Sequence, residues 1–103
     1  MTKHTIFLGL NDKDTKQQEI DTISCYKLAQ RIMSNNGISA YTLSEANGVY
    51  THDDGTITIE KTLQFIILGQ NKQVINDIIT DLKTTFNQES VLLTTERVNT
   101  EFI

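Results

Sequence analysis

The sequence predicts one α+β domain in which a four-stranded antiparallel sheet carries two helices on one face. Three observations point there. Two segments repeat apolar residues at helical spacing, four segments read as strands, and the order along the chain is strand, helix, strand, strand, helix, strand. That order is the split βαβ, ferredoxin-like βαββαβ arrangement, spanning residues 1–103 as a single domain. A chain of 103 residues with 38% apolar and 21% charged residues suits a single hydrophobic core.

The first strand is HTIFLGL, residues 4–10. Ile6, Phe7 and Leu8 are consecutive apolar residues, which in a short strand means burial on both faces. The polar run NDKDTKQQ that follows breaks the pattern and reads as a turn. Over residues 22–35, Ile23, Tyr26, Leu28, Ala29, Ile32 and Met33 lie at helical spacing. Asp21 is placed to cap the first free amides, and Gly37 to end the helix in a left-handed conformation. Cys25 falls on this helix as a small buried residue rather than a reactive thiol, because nothing near it in sequence would lower its pKa.

Two extended stretches then flank THDDGT, where Asp54-Gly55 signals a hairpin turn. Gly48 in the first of them suggests a kink or a close backbone approach. In the second, Ile57, Ile59, Leu63, Phe65 and Ile67 mark one face. Lys61 interrupts that face, so a bulge or a change of packing partner is expected there. The clearest element is the helix over residues 72–86. Asn71 caps it, and Val74, Ile75, Ile78, Ile79, Leu82 and Phe86 form one stripe. Asn87-Gln88-Glu89 reverses the chain, and SVLLTT forms the last strand, paired beside the first. Phe7 or Ile6, with Ile66, Leu68 and Leu92, then faces away from the helices and needs cover. A second copy is the expected cover, so a homodimer or larger homo-oligomer is predicted.

FLGL (Phe7 to Leu10), the hairpin Gly48 to Gly69 and FNQESVLL (Phe86 to Leu93) together resemble a small bacterial and phage family without an assigned activity. Its members share a first strand ending in Phe-Gly-Leu, a Gly-x-aromatic before a turn, an acidic residue in the third strand, and Gln-Glu-Ser-Val-Leu near the C-terminus. Here Leu8 separates Phe7 from Gly9, and Tyr50 stands where tryptophan is common. The resemblance implies this fold and a phage or mobile-element setting.

The net charge of −4 and the absence of any Lys/Arg run disfavour nucleic acid as a partner. No segment has the length of a membrane span, and MTKHTIFLGL lacks a signal-length apolar run, so a cytoplasmic protein without membrane contact is expected. The five glycines are isolated, so no phosphate loop is present. No cofactor is expected.

The candidate ligand-binding residues are His4, Glu45, Tyr50, Glu60, Gln88 and Glu89. Glu45 and Glu60 lie on the two hairpin strands, where they can serve acid–base chemistry or pair with neighbours such as Lys61. His52-Asp53-Asp54 has metal-ligating side chains but reads more simply as a solvated hairpin tip, so no metal site is assigned. Gln88-Glu89-Ser90 either satisfies the chain reversal or lines a pocket. A non-catalytic homo-oligomeric binding module for a small ligand or protein partner, interfering with host defence, accounts for these features. The alternative is a small acid–base enzyme with an inter-subunit active site.

Overall fold

A computed structural model describes residues 1–103. The elements are β1 (Thr2–Gly9), α1 (Thr22–Asn35), β2 (Thr42–Thr51), β3 (Ile57–Leu68), α2 (Lys72–Thr85) and β4 (Leu92–Arg97). The sheet is antiparallel in the order β2-β3-β1-β4, and both helices pack on one face. This is the predicted ferredoxin-like α+β arrangement.

Alternation along the strands sorts their side chains. Ile6 and Leu8 of β1 and Leu63, Phe65 and Ile67 of β3 point to the helix layer, fully buried. They meet Cys25, Ala29 and Met33 of α1 and Ile75, Ile78 and Leu82 of α2. The helix ends are satisfied locally. Asp21 accepts from the Ser24 amide and Asn71 from the Val74 amide. At the far end of α1, Gly37 sits at φ +76° while Ile38 N donates to Met33 O and Gly37 N to Ser34 O. The end of α2 repeats the motif with Asn87 at φ +49°, where Gln88 N donates to Lys83 O and Asn87 N to Thr84 O. Asparagine tolerates that conformation better than other residues carrying a Cβ.

Two expectations need correction. Ile23 does not join the apolar stripe of α1; it is 69% exposed, while Cys25 lies in the core. Lys61 marks no bulge, since β2 and β3 pair in unbroken register from Thr42↔Ile66 to Thr51↔Ile57. The other alternative, a change in packing, is what occurs: Lys61 keeps its place in the alternation, and beyond it Val49, Ile57 and Ile59 are exposed while Leu63, Phe65 and Ile67 are buried. The hairpin turns through Asp53, Asp54 and Gly55 (φ +85°), with His52 N donating to Thr56 O. No helix is long and apolar enough to cross a membrane.

Candidate functional site

The face of the sheet away from the helices carries Phe7 and Gly9 of β1, Gly48 and Tyr50 of β2, Thr58, Glu60, Thr62, Ile66 and Leu68 of β3, and Leu92 of β4. The phase follows from the register, since directly opposed residues share a face. The Phe-x-Gly spacing of β1 therefore has a consequence: Leu8 goes to the core, while Phe7 and Gly9 both reach the open face.

At one end of this face lies a pocket of about 750 Å³. Its floor is Phe7, Gly9, Tyr50, Thr58, Glu60, Thr62 and Leu92. Its rim comes from two chain segments after β1 and after α2: Asn11, Asp12, Lys13 and Lys16 on one side, Gln88, Glu89 and Ser90 on the other. His52 closes the hairpin side, with its Nε2 2.7 Å from Thr58 Oγ1.

Glu60 is the fixed point of the pocket. Its carboxylate lies directly over Gly9; a Cβ there would come within 2.5–2.7 Å of Cδ and both carboxyl oxygens. Only glycine leaves that seat open. The Asn11 amide donates to Glu60 Oε2 at 2.8 Å, which fixes the position of the carboxylate. Across the strand pair, a Cβ on Gly48 would lie 3.4 Å from the Tyr50 ring and hydroxyl, so the phenol lies back over that glycine toward Glu60. Burial, then the nearby charge of Glu60, push the Tyr50 phenol above its usual range. Tyr50 thus stays neutral beside the Glu60 carboxylate.

The rim is built by the pair Asn87 and Gln88. The Asn87 side chain donates to Asp12 Oδ2 at 3.0 Å and to Asp14 Oδ2 at 2.9 Å. Gln88 Nε2 donates to the carbonyls of Asn11 and Phe86 at 2.6 and 3.2 Å. Lys13 N donates to Asn87 O, tying the backbone as well. Within the loop, Asp12 Oδ1 accepts from the amides of Asp14 and Thr15. The Asn87 side chain first, then these amides, hold the Asp12 carboxyl below its usual range. Gln88 consequently serves the chain reversal and the pocket wall together.

Of the six residues singled out from sequence, Tyr50, Glu60, Gln88 and Glu89 meet at this pocket, and His4 and Glu45 lie elsewhere. His4 is buried on the helix side of β1, five residues or about 16 Å along the strand from Gly9. Its Nε2 donates to Gln70 O at 3.1 Å, since a carbonyl only accepts, and its Nδ1 lies 3.1 Å from Thr95 Oγ1. That pins β1 to β4 and to the turn before α2. Glu45 opposes Leu63 and so points to the helix side, where it pairs with Lys61 at 3.5 Å. The carboxylates of Glu45 and Glu60 are on opposite faces of the sheet and form no acid–base pair. Asp54 accepts from Thr56 N and Oγ1, closing its own turn. No three His, Cys, Asp or Glu side chains converge as a metal site would require. Burial, then the charge of Asp21, push the Cys25 thiol up, away from reactivity.

Sequence reasoning passed over Gly9, Asn11, Lys13 and Lys16. The lysines alternate with acids in NDKDTKQQ, a signal that reads as an ordinary turn until Asn87 is seen to gather the acids.

Residues 3–102 match a family described as a protein of unknown function, DUF3574. No curated protein matches this sequence. Among solved structures, a phage SAM lyase in complex with S-methyl-5'-thioadenosine is 26% identical, with a TM-score of 0.68, covering 92% of this chain and 79% of that one. The periplasmic divalent cation tolerance protein CutA from Archaeoglobus fulgidus has a TM-score of 0.61 at 7% identity, covering 97% and 87%. The PII-like protein CutA from Nostoc sp. PCC 7120 has a TM-score of 0.59 at 11% identity, covering 96% and 82%. The CutA likenesses concern the fold alone.

Proposed function

We propose that this chain, which belongs to the DUF3574 family, binds a small sulfonium nucleoside of the S-adenosylmethionine type in its open-face pocket. The observation that carries the reading is the Glu60 carboxylate, seated on Gly9 and held by the Asn11 amide, beside the neutral phenol of Tyr50. A fixed anion at the floor of a cleft suits a ligand with a fixed positive charge. Phe7 and Leu92 offer apolar surface for a purine, and the volume of about 750 Å³ fits a ligand of that size. The 26% identity to a phage SAM lyase holding S-methyl-5'-thioadenosine supports the same ligand class.

The binding unit is a homo-oligomer. Phe7, Ile66, Leu68 and Leu92 lie on the open sheet face, Leu92 59% exposed, and a second copy laid over them would roof the pocket. Burying two such side chains is worth roughly 3 to 6 kcal/mol, enough to favour association between matched surfaces. Sedimentation of the wild type as a monomer at tens of micromolar would overturn this part. A folded Leu92→Lys variant of lower mass supports it.

A second reading is favoured by the name of the phage relative: the pocket cleaves its ligand. In such a cleavage the ligand's own carboxylate oxygen attacks the γ-carbon of the amino-acid chain and closes a lactone, while the electron pair of the C–S bond passes to sulfur and an uncharged thioether leaves. Either activity would withhold a methyl donor, which suits a phage or mobile-element protein that interferes with host defence.

Equilibrium dialysis against S-adenosylmethionine, with the recovered ligand resolved by chromatography, tests both readings. Ligand retained intact supports binding alone. S-methyl-5'-thioadenosine formed by the wild type but not by Glu60→Ala supports cleavage. Neither retention nor turnover would overturn the proposal.

A further inference from the structure

We infer that Lys13 and Lys16 form a subsite for the carboxylate of the ligand, so that the pocket selects nucleosides carrying an amino-acid tail; this rests on the ligand class proposed above. Both lysines line the pocket on the rim loop between β1 and α1. The loop separates its charges. The Asp12 and Asp14 carboxylates are drawn to the Asn87 amide, and Asp12 accepts two further backbone amides. Neither lysine has a carboxylate within ion-pair distance; the chain's two ion pairs use Lys3 and Lys61. In a protein with 13 acidic and 9 basic residues, two lysines at one pocket rim that hold no direct ion pair are available to an anion.

The loop also holds them in place. Lys13 N donates to Asn87 O at 3.1 Å and Lys16 N to Asp12 O at 2.9 Å, while Asp12 N donates to Gln17 O and Asn11 bridges to Gln18. Lys16 adopts φ +64°, a left-handed conformation that a non-glycine residue keeps only where its surroundings impose it. The pocket thus carries Glu60 on its floor and Lys13 and Lys16 on its rim, where Asp12 is taken up by Asn87 and Glu89 lies on the opposite side. A zwitterionic ligand, with a sulfonium and a carboxylate a few bonds apart, matches both.

Calorimetric titration of the full chain with three ligands tests the inference. S-Adenosylmethionine carries sulfonium, amine and carboxylate; its decarboxylated form lacks only the carboxylate; S-methyl-5'-thioadenosine lacks the tail and the charge. The wild type should bind S-adenosylmethionine about two- to fivefold more tightly than the decarboxylated form, the range expected for an ion pair open to solvent. The Lys13→Gln/Lys16→Gln variant should lose that preference and keep its affinity for the other two ligands. Both side chains are exposed, so circular dichroism should show an unchanged fold. Equal affinity of the wild type for the first two ligands, or an equal loss by the variant for all three, overturns the subsite and leaves the pocket reading intact. Failure of the wild type to bind any of the three overturns both.

Discussion

Replacing Gly9 with alanine isolates the seat of Glu60. The new Cβ would stand 2.5 Å from Oε1, 2.6 Å from Cδ and 2.7 Å from Oε2, closer than nonbonded atoms tolerate. Gly9 has no left-handed φ, so alanine brings no backbone strain, and the side chain that must yield is Glu60. When it swings away, the 2.8 Å bond from the Asn11 amide is lost. A bond to a charged group contributes about 1.5 to 3 kcal/mol when buried, and half-exposed Glu60 warrants roughly half of that. Gly9→Ala should therefore cost about 0.8 to 1.5 kcal/mol, a fall in Tm of roughly 4 to 8 °C for each kcal/mol in a domain of this size. Urea unfolding followed by circular dichroism measures it. The same substitution in a Glu60→Ala background meets no carboxylate and should be neutral within about 0.5 kcal/mol. An equal cost in both backgrounds, or no cost in either, would refute the seating of Glu60 on Gly9.

Ile78 is fully buried at the centre of the α2 stripe, so Ile78→Ala should cost about 2 to 5 kcal/mol in the same assay; below about 1 kcal/mol, α2 does not cover the core as described. Asn87→Gly keeps the left-handed turn but frees Asp12 and Asp14, and Asn87→Ala should be about 1 kcal/mol worse because alanine resists φ +49°. Asp12 has a native pKa below the usual 3.8, so its contribution is present above that value and lost as pH falls through the lower one. The stability gap between wild type and Asn87→Gly should therefore hold near neutrality and narrow in acid; a gap that widens in acid contradicts the Asp12 lock. For Tyr50, ultraviolet titration of a Tyr26→Phe/Tyr41→Phe background should show ionisation above the usual 10.0, with Glu60→Gln bringing it down. An unchanged titration would mean that the phenol does not sense the carboxylate.

The parts of this fold that were readable from sequence are those decided locally. Asp21 and Asn71 are caps because their side chains serve amides three residues away. The stripe from Ile75 to Leu82 is visible because one helix carries it. Face assignment is decided by register, and register by the turn. Once Asp53 to Gly55 is fixed as the turn, Glu60 opposes Gly48 and Glu45 opposes Leu63, which sends the two glutamates to opposite faces. His4 shares the phase of Ile6 and Leu8, so strand parity carries it to the helix side, far from Gly9. The rim was least legible. Asn87 reaches Asp12 across 75 residues of sequence, and no local pattern in NDKDTKQQ announces that its acids will be gathered and its lysines left at a pocket.

The central claim is that the open-face pocket around Glu60 receives a sulfonium nucleoside. Titrating isotope-labelled protein with S-adenosylmethionine, and following backbone amide resonances, tests it most directly. Saturable shifts confined to Gly9, Asn11, Tyr50, Glu60 and Gln88, weakened in Glu60→Ala, are the predicted result. Saturable shifts centred on the helix face, or none at millimolar ligand, would contradict it.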